Sequence, residues 1–144
     1  MIYLDTSAAV KLIYPEEHSA SLVVWLRERP TAPLVASALL EVELTRSLRR
    51  LNGEFALPIA TLLRGLNVIS LTPEVLRRAS QYEDQFLRSL DALHLASAQL
   101  VAEQAGLPLT AFVTYDHQLA AVASRHGLPV IAPGLDDGIF HAPH

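Results

Sequence analysis

The sequence predicts a three-layer α/β/α protein, in which helices flank a parallel central sheet. The first observation is that short apolar, β-prone runs alternate with helical segments, a pattern typical of parallel strands joined by helical crossovers. The second is that 51% of the 144 residues are hydrophobic, enough for one sizeable core. Because no linker-like stretch or internal repeat interrupts the pattern, residues 1–144 are expected to form a single domain.

The first half of the chain predicts two strands and four helices. Pro15 closes a turn, Ser37 is expected to cap a helix, Gly53 follows its end, and Pro58 begins or bends the next one. The expected elements are a strand at 2–4, helices through 8–12 and at 16–29, a strand at 34–36, and helices at 38–51 and 54–66.

The second half predicts three strands and three helices. Thr72 and Pro73 form a typical helix start, Ser89 is expected to cap the next helix, and Gly106 and Gly127 follow helix ends. The expected elements are a strand at 67–71, a helix from 73 to about 86, a helix at 90–104, a strand at 111–114, a helix at 118–126 and a strand at 130–132.

Composition narrows the function classes. Cysteine is absent, which excludes disulfides and thiolate metal sites, and no apolar run has the length of a membrane span without a charge or proline. A cytoplasmic protein is therefore expected. The net charge of -4 argues against loose nucleic-acid binding over the whole surface, but it does not exclude nucleic acid as a substrate.

Three aspartates stand at the boundaries of predicted elements. Asp5 and Asp116 each follow a strand, so in a parallel sheet both emerge at the carboxyl edge, where ligands bind. Asp91 lies in the first turn of a helix that is apolar nearly all round. Helix capping and the helix dipole explain each aspartate alone, but a buried carboxylate also needs a cation or several donors.

A fourth acid comes from the predicted helix at 38–51. Glu43 borders its leucine stripe with Arg46 on the same flank, which indicates either an exposed ion pair or a carboxylate that faces the sheet edge. Glu41 is the second choice for that role. His94, one turn after Asp91, is expected to be a packed or pairing histidine rather than a metal ligand.

Carboxylates that converge repel one another, and either protonation or a hard cation relieves the repulsion. Oxygen ligands without cysteine or a histidine pair suit Mg²⁺ or Mn²⁺. Sites of this kind commonly hydrolyse phosphate esters by metal-activated water.

Four motifs together resemble the PIN-domain ribonucleases, and among them the VapC-type toxins of VapBC toxin-antitoxin pairs. They are Tyr3-Leu4-Asp5-Thr6-Ser7-Ala8, Glu43-Leu44-Thr45-Arg46, Leu90-Asp91-Ala92-Leu93-His94-Leu95-Ala96, and Val113-Thr114-Tyr115-Asp116 followed by Gly127-Leu128-Pro129-Val130. The resemblance implies a catalytic quartet of Asp5, Glu43, Asp91 and Asp116. It favours Glu43 over Glu41 because an arginine follows at the third position.

The resemblance also implies a Mg²⁺- or Mn²⁺-dependent endoribonuclease, a VapB-like antitoxin partner and a homodimer without a membrane role. Asp5, Asp91 and Asp116 would hold the ion, and Glu43 would act as a ligand or as a base through water. The implied supporting hydroxyls are Thr6 or Ser7 and Thr114, and the candidate phosphate contacts are Arg46 and Lys11.

Two other functions were weighed against the endoribonuclease. A catalytically silent PIN-like module would bind RNA or protein without cleaving it. An aspartyl-phosphate enzyme is disfavoured, because Ser7 stands where a second aspartate would be needed. The Asp136-Asp137-Gly138 segment is interpreted as a solvated turn.

Overall fold

In a computed structural model, residues 1–135 of the chain are described, and they contain five strands and seven helices. The elements in chain order are β1 (Ile2–Leu4), α1 (Thr6–Ile13), α2 (Ser19–Arg27), β2 (Leu34–Ser37), α3 (Leu39–Leu48), α4 (Ala56–Arg64), β3 (Asn67–Ile69), α5 (Pro73–Gln81), α6 (Ser89–Ala105), β4 (Ala111–Val113), α7 (His117–Arg125) and β5 (Val130–Ile131).

The five strands form one parallel sheet in the order β3-β2-β1-β4-β5. Strand β1 lies at the centre, where Ile2 pairs with Leu34 on β2 and with Ala111 on β4. The chain builds the sheet outward from β1 to β3 and then returns to the other side of β1. The strand order therefore reverses between β1 and β4, and in open α/β sheets ligands bind at the carboxyl ends of the strands at such a point.

Alternating side chains of the strands fill two cores on opposite faces of the sheet. On one face Tyr3 and Phe112 stack with ring centroids 5.1 Å apart, and they pack against Leu95 of α6 and Leu119 of α7. On the other face the buried side chains of β1 and β4 pack against α1 and α2, while a third cluster joins α1 to α3 and α4. The predicted α/β class with helices on both faces is thus confirmed.

Several predicted element ends were wrong. Helix α5 ends at Gln81 instead of near Phe86, so residues 82–88 form a loop. Ser37 is the last residue of β2, although its hydroxyl still accepts a hydrogen bond from the Leu39 amide at 3.2 Å. Ser89 is already helical, and Arg88 occupies the N-cap position without a side-chain capping bond.

Other predicted ends were closer to the structure. Helix α2 is shorter at both ends than predicted, α3 ends at Leu48 instead of Leu51, and Pro58 lies in the first turn of α4. No helix within residues 1–135 is long and apolar enough to cross a membrane. The segment Asp136-Asp137-Gly138 lies outside the described residues.

Candidate active site

Asp5 ends the central strand and at the same time caps helix α1. Its Oδ1 accepts hydrogen bonds from the Ala8 amide at 2.9 Å and from the Ser7 hydroxyl at 2.7 Å, and its Oδ2 accepts one from the Thr114 hydroxyl at 2.6 Å. The side chain is buried, and burial raises the pKa of this carboxyl even though these donors lower it. The capping interpretation of Asp5 is therefore confirmed, and the same carboxylate lines the cavity described below.

Asp116 lies three residues beyond the end of β4 and, like Asp5, caps the helix that follows it. Its Oδ1 accepts a hydrogen bond from the Leu119 amide at 3.0 Å, which caps α7. Its own amide donates to the Thr114 hydroxyl at 3.1 Å. Thr114 therefore links the backbone of Asp116 to the carboxylate of Asp5, and the two strand ends lie side by side.

Asp91 reaches the same edge from the first turn of α6. Its Oδ2 accepts a hydrogen bond from Arg88 Nε at 2.8 Å, and the guanidinium of Arg88 also bonds to Oδ2 of Asp116. Burial raises the pKa of Asp91, although the hydrogen bond from Arg88 lowers it. Sequence reasoning missed Arg88, and the only local signal for it was its position one turn before Asp91.

Glu43 completes the set from α3 and pairs with a buried histidine. The Nε2 atom of His94 lies 2.6 Å from Glu43 Oε1, which also accepts a hydrogen bond from the Thr6 hydroxyl at 3.0 Å. On the far side of the ring, the Tyr3 hydroxyl lies 2.8 Å from His94 Nδ1. The expectation that His94 is a packed and pairing histidine is confirmed.

The pKa values of this pair are displaced in opposite directions. For Glu43 burial raises the pKa, but the hydrogen bond and charge of His94 outweigh it, so the net pKa is lowered. For His94 burial lowers the pKa, but its hydrogen bond to Glu43 and the charges of Asp5, Glu43 and Asp91 outweigh burial, so the net pKa is raised. The arrangement therefore keeps Glu43 ionised.

All four acids line one cavity of about 360 Å³ at the carboxyl edge of the sheet. Its position between the ends of β1 and β4 is the point where the strand order reverses. The lining residues are Asp5, Thr6, Ser7, Glu43, Arg88, Ser89, Leu90, Asp91, His94 and Asp116.

The structure distinguishes Glu43 from Glu41 and shows where the two candidate phosphate contacts lie. Glu43 faces the cavity, whereas Glu41 is exposed beside Arg46 on a different side of α3. Within residues 1–135 no ion pair joins Glu43 to Arg46, since Glu43 pairs with His94. Lys11 donates hydrogen bonds to Glu16 and to the Glu17 carbonyl, and neither Lys11 nor Arg46 lines the cavity.

The acids that line the cavity can be compared with the ligands that a hard divalent cation requires. In the described part of the chain, no three acid or histidine side chains are gathered closely enough to form a ready metal site. Arg88 instead joins Asp91 to Asp116, so a guanidinium supplies the positive charge that these oxygens require. The four acids that line the cavity offer oxygen donors, the type that Mg²⁺ or Mn²⁺ prefers, so the chemistry of the lining fits either ion.

The fold and the site together define an α/β protein with a carboxylate-lined cavity at the carboxyl edge of a parallel sheet. More narrowly, the chain belongs to the PIN domain family, whose model matches residues 2–125. The resemblance proposed from the four motifs is confirmed.

Individual relatives agree with this assignment. Ribonuclease VapC35 of Mycobacterium tuberculosis is 43% identical over 134 residues, which cover 93% of this chain and 98% of the relative. The crystal structure of VapC20 from the same species, described as a Sarcin-Ricin loop cleaving toxin, superposes with a TM-score of 0.64 at 17% identity, over 85% of this chain and 95% of that one.

A toxin-antitoxin complex from Klebsiella pneumoniae gives a TM-score of 0.62 at 18% identity, covering 92% of this chain and 98% of that one. At these identities both structural matches show a shared fold.

Proposed function

We propose that the chain is a single-domain, Mg²⁺- or Mn²⁺-dependent endoribonuclease and the toxin of a toxin-antitoxin pair. The observation that carries the proposal is the convergence of Asp5, Glu43, Asp91 and Asp116 on one cavity of a PIN-family fold. The 43% identity to a relative named as a ribonuclease supports RNA as the substrate class. The acids come from four different elements, and a purely structural role does not require them to meet.

In this proposal Asp5, Asp91 and Asp116 hold the metal ion. When bound, the ion activates a water molecule and stabilises the charge that develops on the phosphate in the transition state. Ser7 and Thr114 orient Asp5 through hydrogen bonds of 2.7 and 2.6 Å, so that the oxygens of this acid are held in place before the ion arrives.

Glu43 acts as the general base. Its Oε1 is held by Thr6 and His94, and within residues 1–135 no hydrogen bond reaches its Oε2. The lowered pKa keeps this carboxylate ionised, so Oε2 is available to accept a proton from the attacking water. The 3′ oxygen is the leaving group, and the RNA 2′-hydroxyl takes no part in the attack.

The biological setting that we propose is the one that the family resemblance implies. A VapB-like antitoxin would inhibit the enzyme, the chain would form a homodimer, and the pair would act in the cytoplasm on RNA. The toxin-antitoxin complex from Klebsiella pneumoniae, which shares this fold, supports the antitoxin partner.

The test is cleavage of total RNA and of single defined RNAs by the purified chain, with Mg²⁺, with Mn²⁺ or with EDTA. The variants Asp5→Asn and Glu43→Gln should abolish cleavage, whereas Glu41→Gln, on the same helix but outside the cavity, should cleave as the wild type does. Sequencing should find 5′-phosphate and 3′-hydroxyl ends.

Three outcomes would contradict the proposal. Cleavage that persists in EDTA would exclude metal dependence, and 2′,3′-cyclic phosphate ends would show attack by the 2′-hydroxyl. A folded wild type that binds Mn²⁺ and binds RNA but leaves every RNA intact would favour the silent binding module.

A further inference from the structure

Arg88 lies at the mouth of the carboxylate cavity and spans two of its acids. It occupies the N-cap position of α6, where its side chain makes no capping bond. Its guanidinium bonds instead to Oδ2 of Asp91 and to Oδ2 of Asp116, which lies 28 residues away in the sequence. Of the lysine and arginine side chains in residues 1–135, only Arg88 lines this cavity.

The side chain of Arg88 can move while its backbone stays in place. The side chain of Arg88 is 58% exposed, whereas those of Asp91 and Asp116 are 15% and 28% exposed, so water reaches the guanidinium end of both ion pairs. The loop that carries it is anchored elsewhere, because Asp84 accepts hydrogen bonds from Arg125 at 3.4 Å and pairs with His126 at 2.8 Å at the end of α7. Turning the guanidinium outward therefore requires only rotation about its side-chain bonds.

The positions of the oxygens bonded to Arg88 imply that Arg88 and the metal ion compete for the same acids. The Oδ2 atoms that Arg88 contacts belong to two of the three acids assigned to the metal ion, so the guanidinium and the ion would compete for the same negative charge. A cation held by these acids would leave the guanidinium of Arg88 free at the cavity mouth. Its planar fork of donors matches two oxygens of a phosphodiester.

We propose that Arg88 binds the phosphate of the RNA substrate, and that the same guanidinium neutralises Asp91 and Asp116 until the metal ion displaces it. This inference rests on the proposed ribonuclease function. In this proposal Arg88 takes the place of Lys11 and Arg46 as the phosphate contact, because Lys11 and Arg46 lie outside the cavity.

The first test measures metal binding without RNA. Titration of Mn²⁺ by calorimetry should show about threefold to tenfold tighter binding to Arg88→Gln than to the wild type, because a competing cation has been removed. Arg88→Lys, which keeps the charge, should lie between them. Arg77→Gln, an equal change of charge on the exposed face of α5, should bind as the wild type does. Equal or weaker binding by Arg88→Gln would refute the competition.

The second test measures the phosphate contact. Binding of RNA is measured with Mn²⁺ present and in the Glu43→Gln background, which leaves the RNA intact. Adding Arg88→Gln to this background should reduce the magnitude of the slope of log RNA affinity against log salt concentration by about 0.7, the value for one phosphate on a single strand. In the active background kcat/KM should fall at least about tenfold, and Arg88→Lys should recover only part of it. An unchanged slope and unchanged kcat/KM would refute the contact.

The two proposals fail in different ways. A wild type that neither binds Mn²⁺ nor cleaves RNA overturns the ribonuclease function. A wild type that does both, with Arg88 variants that match Arg77→Gln in every measurement, overturns only the role of Arg88.

Discussion

Replacing Thr114 by valine tests how much of the site depends on one hydroxyl. Thr114 is fully buried, donates to Asp5 at 2.6 Å and accepts from the Asp116 amide at 3.1 Å. Valine has nearly the same shape but can make neither bond. Thr114→Ser is the matched control, because it keeps the hydroxyl and loses only a methyl group.

The expected loss can be worked from these two bonds. A hydrogen bond to a charged group contributes about 1.5–3 kcal/mol, and an unsatisfied buried amide costs about 1–3 kcal/mol. Since Asp5 keeps its bonds from Ser7 and Ala8, the lower part of the range applies, and Thr114→Val should lose about 3 kcal/mol of unfolding free energy. At about 0.3 kcal/mol per degree for a chain of this size, Tm falls by roughly 10 °C.

The loss should depend on pH. Burial raises the pKa of Asp5 and the Thr114 bond counteracts this, so removing the bond raises the pKa further. A carboxyl with a raised folded pKa costs stability while it is ionised, and this cost disappears as pH falls through that pKa. The difference between Thr114→Val and the wild type should therefore be largest at about pH 8 and smaller at about pH 5.

Urea unfolding in EDTA at the two pH values provides the measurement. Thr114→Ser should stay within about 1.5 kcal/mol of the wild type. If Thr114→Val is as stable as Thr114→Ser, or if its loss is the same at both pH values, the hydroxyl does not support an ionised Asp5 and the argument is refuted.

Two further predictions concern the acid Asp91 and the backbone at Gly134. Burial raises the pKa of Asp91, so the ionised carboxylate lowers the stability of the folded protein above that pKa. Asp91→Asn should therefore raise the metal-free Tm by a few degrees at alkaline pH, and the gain should shrink as pH falls. Differential scanning fluorimetry with and without Mn²⁺ should also show a smaller metal-induced rise in Tm than in the wild type, and a lower metal-free Tm would contradict the prediction. Gly134 has φ +97° and an added Cβ would lie 2.6 Å from His18 Nδ1, so Gly134→Ala should lower the free energy of unfolding in urea by about 2 kcal/mol. Gly106→Ala is the control: Gly106 has φ +63° and nothing within 4 Å of an added Cβ, so the loss should be only about 1 kcal/mol. Equal losses would mean that the side chains beside Gly134 move aside without an energetic cost.

The positions of Asp5 and Asp116 could be predicted from sequence because local chemistry determines them. Each follows a short buried strand and caps the helix after it, and the direction of parallel strands then brings both to one edge. The sequence favoured Glu43 over Glu41 through the motif that it shares with the family, whereas the helical pattern alone left both acids at the border of the leucine stripe of α3. Packing of Leu44 and its neighbours in the core decides it by turning Glu43 towards His94.

Arg88 could not be predicted because its role depends on contacts between distant elements. The pattern favoured a helix to about Phe86, but the chain is extended at Tyr82, whose hydroxyl donates to Gln99 on α6 at 2.6 Å. This tertiary contact accompanies the early end of α5 and the loop that brings Arg88 to Asp116. The pairing between the loop and that acid leaves no periodic signal in the sequence.

The order of the strands has a consequence for biosynthesis. Strand β1 is translated long before its neighbour β4, and the bond from Thr114 to Asp5 spans 109 residues. Contacts of such long sequence separation form late in folding. The cavity therefore cannot assemble on a growing polypeptide until Asp116 has been synthesised, so its four acids meet only after β4 has been made.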